Sequence, residues 1–161
     1  MTDTLKTTTT FLSSHSALAV YINFGHYNSP NPAVLLRPGR SHSESYAARD
    51  YAILHIHTQL GQGATGDVFR ADIRTEYFDS PSKYSPVITK LATNLDRLKR
   101  LRYEYFMYCH LQKKDVQGIP VIFGYYQDRS RRISALLLND VGRPLAKIRR
   151  KDKSAITEDI R

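Results

Sequence analysis

The chain has a single cysteine, Cys109, and no apolar run approaching the roughly 18 residues that a membrane-spanning helix needs. One cysteine makes neither an internal disulfide nor a cysteine-based zinc site, which excludes the disulfide-stapled secreted scaffolds. No internal repeat is present, which excludes a solenoid. The stretch Met1–Thr10 carries Asp3, Lys6 and a threonine run in place of the basic start and apolar core of a secretory signal. These absences point to an intracellular protein, of cytoplasm or nucleus, with no membrane among its partners.

What is present is enough for one core. Of 161 residues, 41% are hydrophobic and 24% charged, so a wholly disordered chain is excluded. The net charge of +9 raises the prior for an anionic partner. A solvated basic surface explains the same number, and nucleic acid is not the expected partner.

Residues 1–50 read as a loosely composed, partly ordered N-terminal extension. Thr7–Thr10, Ser13-Ser14 and Asn28-Ser29-Pro30-Asn31-Pro32 are turn signals. Between them Ala17–Phe24 and Ala33–Leu36 have the composition of short strands. The texture changes at Tyr51. Residues 53–60 alternate as a strand, Gly61–Gly66 make a tight turn, and Asp67–Ile73 alternate again. A loop over 76–86 leads to the short strand Val87–Leu91. Asn94 or Asp96 caps a helix whose apolar stripe runs Leu95, Leu98, Leu101, Tyr105, Tyr108, Leu111. Two further strands follow, Val121–Tyr126 and Ile133–Leu138. Residues 145–161 form a basic tail.

The pattern Gly61-x-Gly63-x-x-Gly66 also fits a dinucleotide fingerprint, but that motif opens a helix, and here Val68, Phe69, Ala71 and Ile73 read as strand. No Gly-Lys-Ser/Thr follows, so it is not a Walker loop. A glycine hairpin between antiparallel strands, then a strand-end lysine in Val87-Ile88-Thr89-Lys90, then a glutamate on the next helix in Leu101-Arg102-Tyr103-Glu104, resembles the N-terminal lobe of a protein kinase. The phrase Arg102-Tyr103-Glu104-x-x-x-Tyr108-x-x-Leu111 and the hinge-like stretch Leu136–Gly142 are similar to fungal kinase-like domains.

The resemblance implies an α+β fold: a five-stranded antiparallel sheet with one packed helix over 51–144, preceded by the 1–50 extension. It implies ATP, bound weakly or vestigially, as the ligand. Gly61, Gly63 and Gly66 would let the backbone approach phosphates. Lys90 would supply a point charge, held by Glu104. Leu60 and Val68 would sandwich the purine, and Ile88, where the family has alanine, would narrow the adenine space. Leu138 would stand as gatekeeper, with Asn139–Val141 offering backbone groups to adenine and Leu145 near the ribose. His55 and His57 read as edge-strand surface residues, and the site contains no metal ligand.

The largest departure is that neither a His-Arg-Asp nor an Asp-Phe-Gly segment occurs. No catalytic residue is therefore expected, magnesium is not expected in this chain alone, and the tail reads as the start of a truncated C-terminal lobe. The expected function is the ATP-binding portion of a kinase-like domain. The alternative is a catalytically dead, pseudokinase-type module that offers its exposed lobe face to a protein partner.

Overall fold

Alternation of apolar and polar residues builds most of the molecule, and it does so on two faces at once. The computed structural model describes residues 17–23, 33–75 and 85–141. Seven strands are present among them: β1 (Ala19–Asn23), β2 (Ala33–Leu36), β3 (Tyr51–Gln62), β4 (Asp67–Thr75), β5 (Ser85–Ala92), β6 (Ile122–Asp128) and β7 (Ile133–Leu138). One helix, α1 (Leu95–Lys113), lies between β5 and β6. The strands close into a barrel in the order β1-β2-β6-β7-β5-β4-β3.

Side chains of one strand alternate between the inside and the outside of that barrel. In β5, Val87, Thr89 and Leu91 point in and are buried, while Ile88 and Lys90 on the outer side are half-buried. Val20, Ile22, Leu35, Leu54, Tyr126 and Leu137 fill the interior, each 2% exposed or less. Full burial of each such side chain contributes about 1.5–3 kcal/mol. The interior is therefore a packed core. Tyr126 keeps its polar end satisfied by donating its hydroxyl to the Ala17 carbonyl at 3.1 Å.

The helix packs on the outer face. Asn94 caps it, its Oδ1 accepting from the Arg97 amide at 2.9 Å. Leu101 is fully buried against Ala92, Tyr125, Leu136 and Leu138, with Leu98, Tyr105 and Tyr108 beside it. Tyr105 stacks on Tyr125 with centroids 5.0 Å apart. Among the described residues no helix is long and apolar enough to cross a membrane.

The expected five-stranded antiparallel sheet is not what forms. Five strands do lie side by side in antiparallel pairs, β3-β4-β5-β7-β6, but β1 and β2 close them into a seven-stranded mixed barrel. Strand β1 runs parallel to β3, from Ala19 opposite Tyr51 to Asn23 opposite His55. Strand β2 pairs antiparallel with β1 and touches β6 at one register position, Leu36 opposite Gln127. The physical reason is twofold. Ala19, Val20, Ile22, Ala33, Leu35 and Leu36 are all buried, so these short strands bring apolar surface that an open extension would leave in water. They also cover the backbone groups that β3 and β6 would otherwise present as sheet edges. Within the 1–50 segment, β1 and β2 are thus barrel wall, whereas 37–49 is a largely exposed connection.

Candidate functional site on the outer face of the barrel

Antiparallel register sets which side chains share the outer face. Val68, Lys90, Leu136 and Tyr125 stand opposite one another across β4, β5, β7 and β6, and Arg70, Ile88, Leu138 and Ile122 form the next row. Lys90 is therefore flanked by aliphatic groups on the side of the sheet that carries α1. Glu104, one turn beyond Leu101 on the inward stripe, meets it there. The Lys90 Nζ donates to the Glu104 Oε1, and the two side chains are only 20% and 17% exposed. Glu104 Oε2 is buried and takes no hydrogen bond among the described residues. Its charge is thus compensated by Lys90, so removing the lysine strands a buried carboxylate. Nearby, the Tyr108 hydroxyl is pushed up to about 12 by burial first and then by the Glu104 charge.

The glycine hairpin stands beside this pair. β3 carries register shifts at Ile56/Thr58 and Gln59/Gly61, and its end beyond them is exposed. The Gly63 amide donates to the Gly66 carbonyl at 2.8 Å and closes the turn. The three glycines are not equivalent. A Cβ on Gly66 would meet the Leu91 carbonyl oxygen at 2.4 Å, so β5 itself requires glycine there. A Cβ on Gly61 would meet nothing within 4 Å, and one on Gly63 only the Gly66 oxygen at 3.5 Å. Fold packing accounts for Gly66 and leaves Gly61 and Gly63 unaccounted for. Arg97 ties the helix start to the hairpin base through Asp67 at 3.1 Å.

The remaining expected residues fall into three groups. Val68 and Ile88 are half-buried on the Lys90 face. Leu138, in the same row as Ile88, is already buried by α1, at 3% exposed. Leu60 sits in the second bulge, 40% exposed, and Val141 is 60% exposed beyond β7. Asn139 is engaged with Val121 through both its amide, at 3.0 Å, and its Oδ1, at 2.7 Å. That use of its amide conflicts with its expected offer to adenine. Leu145 lies outside the described residues, as do the tail and the loop over 76–84. His57 contacts Asp72 at 2.7 Å on the barrel surface. Among the described residues no group of three His, Cys, Asp or Glu side chains could hold a metal ion.

Sequence reasoning missed a groove between α1 and the hairpin tip. It has a volume of about 560 Å³ and is lined by Thr65, Lys99, Arg100, Tyr103, Met107 and Leu111, with Glu104 and Tyr108 at its inner side. The one available signal was that Tyr103 and Met107 are large apolar residues off the core stripe. They are 67% and 41% exposed.

No protein-family model and no curated protein matches the chain.

Proposed function

We propose that the Lys90–Glu104 pair and the glycine hairpin bind the phosphates of a nucleotide, ATP by the kinase-like ordering of the motif. The base would lie against Val68 and Ile88, which stand in neighbouring rows of the outer face. The observation that carries this reading is the part-buried Lys90–Glu104 pair on the same outer face as the hairpin's Val68. A lysine ammonium has three N–H donors, and Glu104 accepts from one. Two are left to donate to phosphate oxygens. The open space over Gly61 and Gly63 supports the reading further, since a phosphate approaches backbone amides only where no Cβ intervenes.

The sequence contains neither a His-Arg-Asp nor an Asp-Phe-Gly segment, the family's sources of the acceptor-orienting base and of the magnesium aspartate. We therefore assign binding without phosphoryl transfer. The single cysteine supports an intracellular setting, where ATP is abundant.

The test is titration of the 161-residue chain with an N-methylanthraniloyl-ATP, read by fluorescence anisotropy. Saturable binding is expected in the wild type and its loss in Lys90→Met/Glu104→Leu. Replacing both partners avoids a stranded carboxylate, so the fold survives. Equal affinity in that double variant would overturn the assignment of Lys90. A parallel assay with labelled ATP, magnesium and a generic acceptor should show no turnover.

A further inference from the structure

The groove between α1 and the hairpin tip shares Glu104 and the hairpin with the proposed phosphate site, but its floor is apolar and its positive charge sits at the rim. Met107, Leu111, Tyr103 and Tyr108 supply that floor, and Lys99 and Arg100 flank it. Glu104 also lines it, but its charge is taken up by Lys90. Lys99 and Arg100 belong to no ion pair among the described residues, whereas Arg97 on the same helix is held by Asp67. The groove therefore carries two uncompensated positive charges beside a shallow, open, largely apolar surface. Further along the exposed side of α1, Phe106 is 53% exposed and lies under the Arg102 guanidinium at 5.6 Å. Isolated exposed apolar residues are ordinary, but a contiguous apolar cluster rimmed by like charges marks an interaction surface.

We infer that this groove binds a short acidic peptide segment of a partner protein, anchored by one aromatic or leucine side chain. The argument is charge and shape together. About 560 Å³ holds a large apolar side chain with part of its backbone. The rim charges select acidic neighbours of that anchor and speed its encounter. A second copy of this chain is disfavoured by the same charges, which would face each other across a symmetric contact. A nucleic-acid strand needs cations spaced along a backbone and flat stacking platforms. Here two adjacent cations border a floor of methionine, leucine and tyrosine.

The sequence contains two methionines, Met1 and Met107, so ε-¹³C-methionine labelling of the full chain places one of two signals in the groove. The probe is the peptide acetyl-Gly-Asp-Glu-Asp-Phe-Glu-Asp-Leu-Glu-Gly-amide, added at low salt. The Met107 methyl signal should shift saturably while the Met1 signal stays. Replacing Phe and Leu of the probe by Ala should weaken the response about thirtyfold, the equivalent of about 2 kcal/mol of lost apolar burial. In Lys99→Glu/Arg100→Glu, whose changes are at exposed helix positions, binding should fall at least about tenfold. A static Met107 signal would overturn the inference. So would an equal response to the Ala probe, which would mean charge alone. An equal response to oligothymidylate would overturn it too, in favour of nucleic acid.

Discussion

The two sides of β5 make different uses of one strand. Inward, Val87, Thr89 and Leu91 disappear into a core where side chains from β1, β2, β3, β4, β6 and β7 meet. Outward, Ile88 and Lys90 lie half-covered beside a helix that shields the β6–β7 end of the sheet and leaves the hairpin end open. Closure of the barrel packs its inner face with buried side chains. The outer face has no facing sheet. It retains a compensated charge pair, an aliphatic row and a groove. The proposed nucleotide site lies on the side that barrel closure left unpaired.

That division can be broken from the inside with large effects. Leu137→Ala removes a fully buried barrel side chain and should cost about 2–5 kcal/mol by urea denaturation. An outer-row change such as Val68→Ala should cost well under half of that, because Val68 is only half-buried.

The hairpin sharpens the comparison within three residues. Gly66→Ala pushes against the β5 backbone and should cost about 1–3 kcal/mol in a thermal melt. Gly61→Ala and Gly63→Ala should leave stability within about 0.5 kcal/mol or raise it slightly, since both have room and neither has positive φ. Both should nevertheless lose nucleotide affinity. Equal destabilisation by all three would mean that the hairpin glycines serve the fold alone.

Asp128 closes the β6–β7 turn, its Oδ1 accepting from the Ser130 amide at 2.9 Å, the Ser130 hydroxyl at 2.6 Å and the Arg131 amide at 3.2 Å. Burial pushes its carboxyl up, but these bonds and the nearby His42 outweigh burial and hold it below the ordinary carboxylate value. A lowered folded-state pKa means that its contribution is complete above the unfolded carboxyl range and is lost as pH falls through the folded value. Asp128→Ala should cost about 1–2 kcal/mol at neutral pH, and the gap from wild type should narrow in acid.

The smallest effect is expected at Thr89. Its hydroxyl lies fully buried in the barrel interior with no hydrogen-bond partner among the described residues. Thr89→Val keeps the shape and removes an unsatisfied polar atom. It should be neutral or stabilising by up to about 1 kcal/mol, measured by the same urea titration.

Legibility in the sequence followed the range of the interactions. The β3–β4 hairpin, β5 and the Asn94 cap are set by neighbours a few residues apart, and alternation or capping chemistry exposes them directly. The Lys90–Glu104 pairing was implied by the kinase-like order of the motif, with Glu104 on the same inward helix stripe as Leu101. Closure by β1 and β2 was hidden for the opposite reason. These strands are five and four residues long, lie among turn-forming residues, and find partners far along the chain, β1 even in a parallel ladder. The groove was invisible because a core stripe identifies Leu101 and says nothing of which outward residues, such as Lys99 and Met107, will face another element.

The proposed phosphate site on the outer face beside Lys90 is tested most directly by ¹H–¹⁵N NMR of the full chain titrated with ATP. Saturable shifts are expected for the amides from Gly61 to Val68 and of Lys90, with Leu54, Leu137 and other inward residues unmoved. These shifts should vanish in Gly63→Ala while the rest of the spectrum keeps its dispersion. No shifts up to about 1 mM ATP, where even about 4 kcal/mol of binding registers, would contradict it. Saturable shifts confined to another surface would contradict it equally.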